Sequence, residues 1–185
     1  MKFVLHYRGP LRSNGNPAHK HDVRQAFHAQ LKALWNQSPL NEYGEFLQPR
    51  KAPGNYSSLR PLGAFTFVPL VTAEINAVAE LRLTLLRPEP PGQLITQGGD
   101  IDNRLKTLFD ALTMPRLLNA LPIGITPTQD QIPFFCLLED DNLVTSVSVN
   151  TQQLLEPVSD TSLADVLVEV TTRVTRVTFG NGQFA

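Results

Sequence analysis

"AVAELRLTLLRPEPPGQLITQGGDIDNRLKTLFDAL", residues 77–112, changes its period halfway along. Over 77–87, Ala79, Leu81, Leu83 and Leu85 alternate with Val78, Glu80, Arg82 and Thr84. That is the pattern of a strand with one buried face and one partly wet face. "PEPPGQLITQGG" breaks the alternation, and Ile101, Leu105, Leu108, Phe109 and Leu112 then recur at the spacing of one helical stripe. A strand followed by an amphipathic helix, set among further strands, decides the fold class.

Outward from this stretch the same two periods recur. "KFVLHYR" (2–8) reads as a first strand and "GPLRSNGNPAHK" as a loop rich in turn residues. From Asp22, the residues Val23, Phe27, Leu31 and Leu34 share one face of a helix ending near Trp35. Residues 36–63, rich in Asn, Pro, Gly and Ser, read as a long surface loop. "AFTFVPLV" (64–71), "IPFFCLL", "LVTSVSVN" and "ADVLVEVTTRVTRV" (164–177) read as strands. Residues 113–131 hold Pro115, Pro122 and Pro127 and read as an irregular insertion with a short helical turn at "RLLNAL". The expected fold is α+β: a single domain over 1–185, with a mixed β-sheet and two main helices packed on it.

Composition narrows the class. The 185 residues are 42% hydrophobic and 18% charged, with no apolar run approaching the roughly 18 residues of a membrane span. The start, "MKFVLHYRGP", has three apolar residues before His6 rather than the apolar stretch of a signal peptide. A soluble chain is expected, with the cytoplasm as its default location and no membrane partner. Cys136 is the only cysteine, which excludes an intrachain disulfide, and its place in "PFFCLL" points to packing.

The net charge of −1 conceals an asymmetry: residues 1–60 carry nine Lys and Arg against three acids, the remainder seven against fourteen. A basic arm suits a polyanionic partner and an acidic body can hold cations. All four histidines fall in the basic part, and His19 and His21, flanking Lys20, read as solvated or phosphate-facing imidazoles in a polar loop.

Asp100 and Asp102 stand at the start of the second helix. One reading is capping, in which an aspartate accepts backbone N–H groups and favours the helix dipole. Asp100 with Arg104, Asp102 with Lys106 and Lys106 with Asp110 are also spaced for surface ion pairs. A second cluster, Glu139, Asp140 and Asp141 in "LLEDDNLV", interrupts two apolar runs and has the residues of a turn. Taken together the two clusters offer oxygen ligands for a hard cation, since Mg²⁺ needs only two or three carboxylates and keeps several waters. Such an ion beside a basic arm suits phosphodiester hydrolysis. Lys106, one turn after Asp102, is placed to stabilise charge on the phosphorus. No G-x-S-x-G elbow, H-E-x-x-H pair or Gly-rich phosphate loop competes.

"DIDNRLKTLFDAL" resembles the RusA family of Holliday junction resolvases, whose pattern is D-x-D-N, a lysine four residues after the second aspartate, then F-D-A-L. "DDNLV" (140–144) is similar to the family's later D-D-x-x-V. The order of elements also fits, including the loop with Ser13 and Asn14. The Arg or Lys that precedes the first aspartate in the family is missing here. The resemblance implies a Mg²⁺-dependent endodeoxyribonuclease, with Mn²⁺ as an alternative ion, that resolves branched DNA as a homodimer. It implies that Asp100, Asp102 and Asp141 bind the metal, with Asp140 as the competitor for the third place, and that Lys106 is the catalytic lysine. Arg8, Arg12, Lys20 and Arg24 of the basic arm are the expected DNA contacts. The alternative is a non-catalytic nucleic-acid-binding or interaction module that keeps the RusA-like fold and uses the acids only as caps.

Overall fold

A computed structural model of the chain describes residues 1–51, 56–89, 101–160, 162–178 and 181. The elements run β1 (Lys2–Pro10), α1 (Pro17–Trp35), β2 (Arg60–Leu62), β3 (Phe65–Val71), β4 (Ala77–Arg87), α2 (Ile101–Leu112), β5 (Phe134–Leu138), β6 (Val144–Gln153) and β7 (Leu163–Val174). The class is α+β, with the strands divided between two mixed sheets. One has the order β1-β7-β4-β6, the other β2-β3-β5. In each, a single parallel pair, β4 with β6 or β3 with β5, joins otherwise antiparallel neighbours. No helix among the described residues is long and apolar enough to cross a membrane.

The alternation over 77–87 does what its period dictates. Ala79, Leu81, Leu83 and Leu85 are buried, whereas Val78, Glu80, Arg82 and Thr84 are not. Register aligns these with apolar residues of the neighbouring strands: Leu5, Val168, Leu83 and Val149 form one row across four strands, and Phe3, Val170, Leu81 and Val147 another. Such cross-strand rows are the unit of sheet stabilisation. They merge with Val23, Phe27 and Leu31 of α1 and Leu108 and Leu112 of α2 into one core. At the edge strand β6 the cover runs out, leaving Val147 46% and Val149 38% exposed. The opposite face of this sheet is charged, with Arg173 3.2 Å from Glu80 and Arg82 3.7 Å from Glu169.

α1 begins five residues before the expected Asp22. Asn16 is its N-cap, accepting the His19 N–H at 2.9 Å, and Pro17 occupies the first helical position, where its missing N–H costs nothing. The expectation that His19 and His21 sit in a polar loop is therefore corrected: both are helical and buried. His21, 1% exposed, packs edge-on to Phe65 and against Phe134, ring centroids 5.8 and 5.7 Å away, beside a second small core of Phe65, Phe67, Phe134, Leu121 and Cys136. Cys136 is packed as expected, and burial pushes its thiol well up. The long loop also departs from expectation: short 3₁₀ turns at Leu40–Glu42 and Gly44–Leu47 carry Leu40 and Phe46 into the main core.

β3 passes into β4, and β5 into β6, at the same place. Glu139 N–H donates to Val71 O at 2.9 Å, and the Glu139 carboxylate accepts the Ala73 N–H at 3.1 Å. The second acidic cluster thus lies where the chain changes sheets.

The buried His21 makes stability depend on pH. Burial, with Arg24 adding to it, pushes the imidazole down to about 4, against about 6.5 in an unfolded chain. Between those values the unfolded state binds a proton that the native state does not. This contribution is complete above about pH 6.5 and is lost as pH falls towards 4, by at most about 1.4 kcal/mol per pH unit. Urea midpoints measured across this range should flatten in His21→Leu without becoming level, because burial lowers His19 and His28 too.

Candidate functional site

α2 presents its first turn to solvent. Asp102 is exposed and its Oδ1 accepts the Asn103 N–H at 2.6 Å, the carboxylate having no ion pair among the described residues. Lys106, one turn on, is also exposed. The ion pairs that spacing allows, Asp102 with Lys106 and Lys106 with Asp110, are not among those formed by the described residues; Asp110 pairs instead with Lys20 at 2.7 Å. Asp100, expected as both a cap and a ligand, lies outside the described residues.

The buried side of α2 holds the loop that follows β1. Arg104, buried, donates from its guanidinium to Leu11 O. Thr107 Oγ1 accepts the Gly15 N–H at 3.0 Å and donates to Asn103 O at 3.1 Å. Gly15 is required by closeness: a Cβ there would lie 2.7 Å from His19 Cδ2 and 2.8 Å from Thr107 Cγ2. Arg12 rides on this clamped loop. Its N–H donates to His19 Nε2 at 3.2 Å, while burial and the Arg12 charge push the His19 imidazole down. That ring therefore offers an unprotonated acceptor.

The second acidic cluster divides into three environments. Glu139 accepts from Arg60 Nε at 2.6 Å, and Arg60 also reaches Glu74 at 3.0 Å, so Glu139 belongs to the sheet crossing. Asp140 caps the 3₁₀ turn Asp141–Leu143, accepting the Asn142 N–H at 3.0 Å, and is gripped by the Arg116 guanidinium. Burial pushes its carboxyl up, but the Asn142 N–H and Arg116 outweigh that and hold it below the ordinary range. Asp140 thus carries the turn. Asp141 is 68% exposed, with Arg116 Nη2 3.6 Å away.

Asp141 also lines a cleft of about 320 Å³ together with Lys20, Arg24, Asp110, Thr113 and Arg116. This cleft is at the C-terminal end of α2: Asp110 is two turns, about 12 Å, beyond Asp102 along the helix axis. No three His, Cys, Asp or Glu side chains among the described residues are gathered so as to hold a metal ion.

The basic arm is used unevenly. Arg8 is paired with Glu156 at 2.6 Å and lies 3.6 Å from Asp165, and Lys20 is taken by Asp110. The expectation of Arg24 as a surface DNA contact is corrected: it is 2% exposed, donating from Nε to Thr113 O at 3.3 Å and from Nη2 to Asp110 O at 2.7 Å. It satisfies carbonyls that a helix end leaves without intrahelical partners, where a cation is also favoured by the dipole. Burial pushes its pKa down to about 10, so it remains charged at neutral pH. Arg12 alone of the four is exposed without an ion pair among the described residues. Arg116 and Thr113, in the segment read as an irregular insertion, carry no motif that would single them out.

The clamp makes a steric prediction. Gly15→Ala should destabilise the fold by about 1–3 kcal/mol in urea denaturation, because His19 and Thr107 must move. Gly44→Ala, with nothing within 4 Å of the added atom, should stay near wild type. Compared with known proteins, the chain matches no family model, no curated protein and no solved structure.

Proposed function

We propose that the chain is a RusA-like, Mg²⁺-dependent, structure-selective endodeoxyribonuclease that acts on branched DNA such as Holliday junctions, working as a homodimer. The observation that carries this reading is the pair Asp102 and Lys106. They are oppositely charged, exposed and one turn apart, and neither is spent on an ion pair among the described residues. Both belong to the D-x-D-N-x-x-K pattern.

The donor chemistry suits a hard cation. Asp102 is exposed and has no ion pair among the described residues, and Mg²⁺ accepts one or two carboxylates with waters completing its shell. Asp102 and Asp100 of the motif are the residues that would hold Mg²⁺ or Mn²⁺, and Asp141 is the third expected ligand. When bound, the ion supplies phosphate polarisation and water activation. Lys106 supplies an ammonium close to the same turn, suited to the charge that develops on a phosphate under attack. Arg12, fixed by the loop clamp, supplies a phosphate contact that positions the duplex without reading its sequence.

One observation favours the second reading, a nucleic-acid-binding module without catalysis. Glu139 and Asp140 are committed to the sheet crossing and its turn, and Asp141 lies beside Arg116 in a cleft at the far end of α2. Cleavage of a four-way junction with and without Mg²⁺ separates the two. Asp102→Asn should lose at least about 100-fold in cleavage and retain junction binding. Asparagine serves a helix start nearly as well as aspartate, so the fold should persist. Metal-dependent cleavage at the wild-type rate in this variant would leave only the module.

The arm gives an independent measurement. Binding of linear and branched DNA should weaken alike in Arg12→Ala, with the logarithmic salt slope falling by about 0.9, one phosphate contact. In Arg8→Ala the slope should change less, because Glu156 and Asp165 already hold that guanidinium.

A further inference from the structure

The cleft at the C-terminal end of α2 contains two buried polar groups without a hydrogen-bond partner among the described residues. Arg24 Nη1 and Thr113 Oγ1 are both inaccessible, and neither has a hydrogen-bond partner among the described residues. Both residues line the cleft. The other two nitrogens of Arg24 go to the carbonyls of Thr113 and Asp110, which are neutral acceptors. Its guanidinium is thus a buried cation bonded to no carboxylate, a condition that costs free energy until an anion arrives.

The remaining charges are arranged around this centre. Lys20 and Arg116 are also in the lining, and the carboxylates beside them are already engaged: Asp110 by Lys20 at 2.7 Å and Asp140 by Arg116. Asp141 is largely in solvent. An oxyanion that enters as the side chains of the cleft wall shift to admit it would meet an unsatisfied N–H donor and a hydroxyl free to donate, with two further cations nearby. Tetrahedral oxygens suit this mixture of guanidinium, hydroxyl and ammonium donors. The volume of about 320 Å³ exceeds what a bare phosphate fills and leaves room for an attached sugar.

We propose that this cleft is a phosphoryl-binding subsite in which Arg24 and Thr113 contact the oxyanion and Lys20 and Arg116 flank it. It is separate from the Asp102 and Lys106 turn and does not rest on the nuclease reading, because its test measures binding rather than cleavage.

The test is calorimetric titration of the full chain with inorganic phosphate, against sodium chloride at matched ionic strength, with thermal melts alongside. Phosphate should bind saturably and raise Tm, as any ligand selective for the native state does. Arg24→Gln should abolish binding, but it also removes the hold on α2. Thr113→Val keeps the fold testable: the hydroxyl has no partner to lose, so the unliganded Tm should be unchanged or higher. Its phosphate affinity should fall about tenfold, the effect of one hydrogen bond to a charged acceptor. Competition by short oligonucleotides identifies the source of the group. Displacement of phosphate only by 5′-phosphorylated strands assigns a chain end, equal displacement by 5′-hydroxyl strands assigns the phosphodiester backbone, and displacement by neither assigns a free phosphate or small ester. No saturable binding, an equal response to chloride, or wild-type affinity in Thr113→Val would overturn the proposal.

Discussion

The guanidinium of Arg24 joins the parts of this molecule that matter for its function. It leaves the middle of α1, crosses the core and donates to the carbonyls of Asp110 and Thr113, where α2 ends and the chain turns towards β5. Those carbonyls have no partners within the helix, and a buried helix end without them is costly. Met114 N–H then donates to Leu138 O at 2.9 Å, tying the same turn to the second sheet. One side chain therefore sets the distance between two helices and a sheet. At the other end of α2, Arg104 and Thr107 fix the loop after β1.

Charge in this chain is divided between holding the fold and facing outward. Arg60, Glu74 and Glu139 stitch the crossing between sheets, and Arg116 with Asp140 fixes the turn that follows. Arg60, Glu74 and Glu139 are partly buried groups with several bonds each, which is where ion pairs gain more than they do on an open surface. Asp102, Lys106 and Arg12 form no ion pair among the described residues. A charged group that costs nothing to the fold when removed is a sensible place to look for a partner.

The strands and helices were legible in the sequence wherever burial on one face enforced a period. β4 was readable to its end residues because every second side chain from Ala77 to Leu85 enters the core. The division into two sheets was not, because it depends on which strands pair, and β3 and β5 are buried on both faces and carry no alternation. The start of α1 was hidden for a different reason: Asn16 and Pro17 suit both a turn and a cap, and the polar residues that follow are buried by tertiary packing. The family resemblance marked Asp102, Lys106 and Asp141 as a set. Their actual separation, two turns of helix between Asp102 and the cleft wall, is a property of chain crossings that spacing does not encode. Arg24 was misread because a basic residue near a helix start looks the same whether it faces water or a neighbouring helix end.

β6 has a consequence for how the chain behaves in concentrated solution. From Val144 to Gln153 it contains neither proline nor a charged residue, and its valines are half open at the rim of the sheet. Its hydrogen-bonding groups on one side meet β4, and the sheet order gives the other side no neighbouring strand among the described residues. Natural edges are usually blunted by lysine, proline or a bulge within the exposed strand, since a bare edge is a template for another chain. β6 carries one register shift, at Thr145 opposite the Ala79–Glu80 step of β4, and the charges of Glu80, Arg82, Glu169 and Arg173 stand on the adjoining strands. Salt screens those charges without touching the edge itself. Colloidal stability of this protein is therefore tied to ionic strength through residues that take no part in its core or its candidate site.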